Sequence, residues 1–282
     1  MIQVVNDFDG VHTNQLKQAE MVKKVGIATL ARLSGATKEY VSFQYNTIEQ
    51  LIGQEPHRHG WILSDVITAY CDEDHFIRSS TILSKIVLEN EDYKAAVEKR
   101  FTDTRKFIQH TFEEGCKQAS PQIDLEKSKK VFNESKKGGS NTTIVTNSET
   151  KRIEGYLAGV GIKVYGMAKK YDIDPNFTNI GNSLEIEHLG KTYRVDLRRR
   201  KYFNILEEIK EQKGEVVAVV GDVFSLDLAL PYALGMDIIL KKNSYTPKWA
   251  EEFVKNCGRG HVTNDIAELP QIYETIKSKR GR

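Results

Sequence analysis

Cysteine, net charge and long apolar runs are what this 282-residue sequence has least of. Its three cysteines, Cys71, Cys116 and Cys257, are odd in number, far apart and without metal-ligand spacing. Neither a disulfide framework nor a zinc site is expected, and a reducing cytoplasm fits best. Lys and Arg number 41 against 39 Asp and Glu, a formal charge of +2, so no basic field points to nucleic acid. The one dense basic run, Lys277 to Arg282, reads as a frayed, solvated tail. No apolar stretch is long enough to cross a bilayer, and the chain enters directly into Ile2-Gln3-Val4-Val5 without a basic leader or signal-peptide core. Secretion and membrane insertion are therefore not expected. Internal repeats and low-complexity tracts are also missing. What remains is a hydrophobic fraction of 39%, a charged fraction of 28% and a mean hydropathy of −0.47, the profile of a globular protein with a real core. The length suits a core domain plus a second, smaller body.

Three apolar runs end in polar turns: Ile2 to Val5 before Asn6-Asp7-Phe8-Asp9-Gly10, Thr142 to Val145 before Thr146-Asn147-Ser148, and Val216 to Val220 before Gly221-Asp222. Helical periodicity follows the second, at Ile153, Tyr156 and Leu157, and precedes the third, at Ile205, Leu206 and Ile209. That alternation predicts an α/β fold with mostly parallel strands, whose ligands bind beyond the carboxyl ends of the strands. Residues 14–135 differ in character: Leu16, Ala19, Val22 and Val25, then Ile82, Leu83, Ile86 and Val87, then Tyr93, Val97 and Phe101 recur mostly at helical spacing. They read as an inserted helical domain, with Lys136 to Ser140 as the return linker. A second insertion, about residues 180–197, carries a hairpin signal around Leu189-Gly190. Within the helical insertion, Pro56 to Trp61 carries two histidines and reads as a surface loop rather than a ligand site.

Asp7 and Asp9 flank Phe8 at a strand end, where alternation would turn both carboxylates to one side. By itself this pair is equally a turn. Asp222 and Asp227 form a second acidic cluster, for which Ser225 as a helix cap and Asp227 as a first-turn carboxylate is the structural alternative. Taken in order, Asp7-Phe8-Asp9-Gly10, Thr146, a lysine and Gly221-Asp222 followed by Asp227 resemble the four motifs of the haloacid dehalogenase-like superfamily. The resemblance covers residues 1–13 and about 136–282 and leaves the insertion unmatched.

The resemblance implies a doubly wound, Rossmann-like parallel sheet with a mainly helical cap domain over residues 14–135. It implies a nucleophile at Asp7 and an acid-base at Asp9. Mg2+ would be held by Asp7, Asp222 and the backbone carbonyl of Asp9, supported by Asp227. The phosphoryl group would be bound by Thr146, Asn147 and Lys201. Lys201 opens the helix ahead of the third strand, and Lys169 and Lys170 are the alternatives. The expected activity is that of a phosphatase acting on a small phosphorylated metabolite, with the cap as a lid. Asp9 argues against a dehalogenase, while a phosphomutase or a non-catalytic relative remain alternatives. The chemistry is coherent: a carboxylate attacking an anionic phosphate needs a cation and a lysine against charge repulsion, and oxygen ligands suit Mg2+.

Overall fold

A computed structural model describes residues 2–63 and 65–280. Met1, Gly281 and Arg282, at the ends of the expected core and tail, lie outside the described residues. Six strands form one parallel sheet: β1 (Ile2–Asn6), β2 (Ser140–Val145), β3 (Lys163–Tyr165), β4 (Val216–Gly221), β5 (Asp237–Lys241) and β6 (Gly260–Thr263). Their spatial order is 3-2-1-4-5-6. That is the doubly wound order, and it reverses direction between β1 and β4, where the loops leaving neighbouring strands part and open a crevice. Near-continuous Val and Ile runs suit strands covered on both faces, and Val4, Val5, Val219 and Val220 are fully buried or nearly so.

Contacts divide the chain into two units: residues 1–14, 63–69 and 123–282, and residues 15–62 and 70–122. In the first, α6 (Leu125–Lys137) and α11 (Leu269–Arg280) bring Val131, Leu269, Tyr273 and Ile276 against Val4, Val220 and Ile239. Phe132, from α6, joins a second cluster with Phe8, Ile144 and Ile153. The stretch expected as the end of the insertion is thus a helix of the first unit, and the division falls at residue 122 rather than 135. The basic tail is likewise helical through Arg280, because its guanidinium donates to Asp237 Oδ2 at 3.0 Å and Lys277 Nζ donates to the Gly138 carbonyl at 2.9 Å. α7 (Thr150–Tyr156), α8 (Arg200–Lys213), the short α9 (Ala229–Ala233) and α10 (Lys248–Asn256) complete the unit. The expected hairpin pairs Ser183–His188 with Lys191–Asp196 through a two-residue turn at Leu189 and Gly190, both with positive φ, and Tyr193 stacks on Trp249 at 4.4 Å.

The second unit is helical, as its periodicity predicts: α1 (Leu16–Ser34), α2 (Lys38–Gln54), α3 (His75–Leu88), α4 (Glu91–Phe101) and α5 (Thr104–Gln118). Side-chain caps from Thr37, Asp74, Asn90 and Asp103 satisfy the first amides of α2 to α5. Its own core contains Leu30, Val41, Tyr45, Ile82, Leu83, Val97 and Phe107. No helix among the described residues is long and apolar enough to cross a membrane.

Candidate active site

Register explains why distant acidic residues meet. β1 lies between β2 and β4, with Asn6 opposite Ile144 on one side and Val220 on the other. The Asp7 amide continues the ladder by donating to the Val220 carbonyl at 2.8 Å. The residues just past β1 and β4 must therefore lie side by side, and carboxylate oxygens of Asp7, Asp222 and Asp227 come within 4.8 Å of one another. All three residues are buried. Gly10 makes the approach possible: its φ is +79°, and a Cβ there would fall 2.0 Å from Asp222 Oδ2.

The lysine of this cluster is Lys170. Its Nζ donates to Asp7 Oδ1 and to Asp227 Oδ1, each at 2.8 Å, with the side chain 1% exposed. Lys201 lies elsewhere: it is exposed on α8 and donates to the Met167 carbonyl. The reason is topological. β3 runs beside β2, with Tyr165 opposite Val145, so the loop after β3 lies along the loop after β2. Met167 and Ala168 amides donate to the carbonyls of Ser148 and Thr146, and the Lys170 amide donates to Asn147 Oδ1 at 2.8 Å. Arg199, fully buried, donates to the Lys170 and Thr68 carbonyls, the latter at 2.7 Å. Asn147 thus shapes the loop that carries the lysine, and Thr146 is buried at the same strand end, its hydroxyl accepting from the Ser148 amide at 3.3 Å.

Asp9 parts company with Asp7 because the chain turns there. Its carboxylate takes a two-point pair from Arg152, at 2.9 and 3.2 Å, and a hydrogen bond from Ser148 Oγ at 2.5 Å. Ser148 and Arg152 stand four apart across the start of α7, a helical spacing that carried no functional signal in the sequence. Asn6, which sits where an apolar strand residue is usual, is buried and accepts from Tyr273 Oη at 2.9 Å.

Burial dominates the electrostatics. It pushes the Asp7 carboxyl up to about 7, with Asp227 and Asp9 adding to the rise and Lys170 opposing it. Burial works against the Lys170 ammonium too, yet Asp227 and Asp7 hold its pKa above the usual lysine range. Three carboxylates against one ammonium leave negative charge in excess, and a donor set made wholly of oxygen suits Mg2+.

A doubly wound sheet thus carries Asp7, Lys170, Asp222 and Asp227 at its switch point, with a helical insertion between β1 and β2 in the chain. Solved structures with a similar chain trace include a Northeast Structural Genomics Consortium target (TM-score 0.52, 13% identity, 98% of this chain and 99% of that one). A putative β-phosphoglucomutase from Thermotoga maritima (0.49, 12%, 98% and 99%) and a HAD phosphatase from Thermococcus onnurineus (0.47, 14%, 97% and 98%) are also similar. At such identities the likeness is one of fold. No protein-family model and no curated protein matches the sequence.

Proposed function

We propose that the protein is a Mg2+-dependent phosphatase that hydrolyses a small phosphomonoester through an aspartyl-phosphate on Asp7. The observation that carries this reading is the Lys170 ammonium set between Asp7 and Asp227, with Asp222 completing an oxygen-rich cluster at the sheet's switch point. Mg2+ held by Asp7, Asp222 and the backbone carbonyl of Asp9, with Asp227 in support, would supply the positive charge that offsets repulsion between carboxylate and phosphate. Asp7 attacks phosphorus as the bond to the leaving oxygen breaks, and Asp9 protonates that oxygen. Water then attacks the phosphorus of the aspartyl-phosphate, gives its proton to Asp9, and releases phosphate with Asp7 restored. Lys170 and Thr146 bind the phosphoryl oxygens, while Asn147 holds the loop that delivers Lys170. Arg152 and Ser148 bind the Asp9 carboxyl group, and Asp9 turns from them, carrying a proton taken up from solvent, to reach the leaving oxygen.

The helical unit serves as the cap. Its two segments, residues 15–62 and 70–122, fall between β1 and β2 in the chain, and a cap of this size favours small substrates. The test is phosphate release from a panel of phosphomonoesters with and without Mg2+, together with acid-quench trapping of the labelled enzyme. Mg2+-dependent release and a phosphoenzyme lost in Asp7→Asn are expected. Full activity after exhaustive chelation, or an unlabelled active enzyme, would overturn the mechanism.

A further inference from the structure

Asp222 Oδ2 is claimed by two side chains outside the four motifs. Tyr245 Oη donates to it at 2.8 Å and Asn243 Nδ2 at 3.1 Å. Asn243 Nδ2 also lies 3.2 Å from the Gly10 carbonyl oxygen and 2.9 Å from Tyr245 Oη. One amide group thus joins the loop after β1 to the residue that follows β4, and both donors come from the loop after β5. Sheet register brings them there: Gly221 pairs with Leu240 in parallel, so the residues following the two strands share one edge.

The loop is held before any ligand arrives. Asn243 N–H donates to Thr246 Oγ1 at 2.8 Å, Thr246 N–H returns to the Asn243 carbonyl at 3.2 Å, and Lys242 N–H donates to the Thr263 carbonyl at 2.8 Å. The direction of the amide follows from its surroundings. Asn243 Oδ1 faces Lys241 Nζ at 3.5 Å, which leaves the two N–H bonds of Nδ2 for the Gly10, Asp222 and Tyr245 oxygens, one of them shared between two acceptors. The single Tyr245 proton goes to Asp222, and its oxygen accepts from Asn243, so the hydrogen bonds run one way toward the carboxylate.

We propose that Asn243 and Tyr245 are positioning residues that fix the rotation of the Asp222 carboxylate through Oδ2 and so aim it at a divalent cation. The proposal rests on the cation-dependent reading above. A carboxylate otherwise turns freely about its last torsion, and Mg2+ tolerates little departure from octahedral geometry, so a pre-aimed ligand saves ordering that binding would have to supply. Two neutral donors also draw charge from Asp222, which by itself would weaken its hold on a cation. Outer-shell partners of metal ligands change affinity by about ten- to hundredfold when removed, so orientation is the larger effect.

The experiment is calorimetric titration with MgCl2, without substrate, of the full chain, Tyr245→Phe and Asn243→Ser, beside cation-free thermal denaturation of each. The expected result is a Kd for Mg2+ about tenfold higher or more in each variant, with the cation-free Tm moved by no more than about 2 °C. A Kd within twofold of wild type in both variants overturns the proposal, as does tighter binding, which would mean that the donors only drain charge. A weakened Kd that tracks a large loss of Tm also overturns it, since that is a structural role alone. If the wild-type protein binds no Mg2+, the phosphatase reading fails and this proposal with it, an outcome distinct from wild-type binding left unchanged by both substitutions.

Discussion

At Lys170 one ammonium faces two buried carboxylates, and no second described cation donates to Asp7. Lys170→Met should therefore lower kcat/KM by about a hundred- to thousandfold, the scale of losing one charge-stabilising donor, while Lys201→Met should stay within about twofold. Steady-state kinetics on p-nitrophenyl phosphate checks this; equal losses would remove Lys170 from the site. Asp7→Asn should reduce turnover by about a thousandfold or more without lowering Tm, because the amide oxygen still accepts from Lys170 and one buried negative charge is gone. Turnover within tenfold of wild type would displace Asp7 as nucleophile. The sequence made Asp7 and Asp222 legible because each follows an apolar strand. It pointed to Lys201 over Lys170, because Lys170 follows a strand of only three residues and reaches the cluster through a loop, where no periodicity marks it.

At the scale of elements, the helical unit depends on how closely α1 and α5 approach. A Cβ on Gly115 of α5 would fall 2.6 Å from the backbone N and Cα of Val22 on α1. Gly115→Ala should destabilise by about 1–3 kcal/mol, as overpacking does, despite the gain in helix propensity. A thermal melt with Tm unchanged or raised would contradict the approach. The helices themselves were readable from their 3.6-residue spacing, and so were β1, β2, β4 and the hairpin. Residues 125–135, which the sequence places in the insertion, belong to α6 and the first unit: the amphipathic pattern, with Val131 and Phe132 buried, says that the helix packs but not against what. Paired glycines at 138 and 139 suggested a linker, although α6 runs through Lys137 and β2 begins at Ser140.

For the whole molecule, pH acts through a buried histidine that the chemistry does not use. His12 stacks on Phe8 and packs at a tilt against Phe132, and burial, with Lys241 adding, lowers its pKa to about 3. The neighbours agree with a neutral ring. Tyr273 donates to Asn6 Oδ1, which turns Asn6 Nδ2 to His12 Nε2 as a donor and leaves Nδ1–H for Ser128 Oγ at 3.2 Å. The folded pKa lies below the unfolded value near 6.5, so the unfolded chain binds the extra proton, and stability falls as pH drops from 6.5 toward 3. At pH 5 the loss from this group is about 2 kcal/mol. Denaturant titrations at pH 5 and pH 7 should differ by that much more in wild type than in His12→Asn. An identical pH dependence in the two would show that His12 is not held neutral.

The order of strands and polar turns in the sequence determined the α/β class, its mostly parallel strands and the acidic residues at their carboxyl ends, since strand ends and alternation are local properties of the chain. Tertiary structure alone decided the partners. Parallel pairing of β3 with β2 delivers Lys170 to Asp7, and pairing of β5 with β4 brings Asn243 and Tyr245 to Asp222. The turn at Asp9 gives that carboxylate to Arg152. These meetings join residues up to 163 positions apart. They depend on sheet register, which every strand helps to set and no local pattern records.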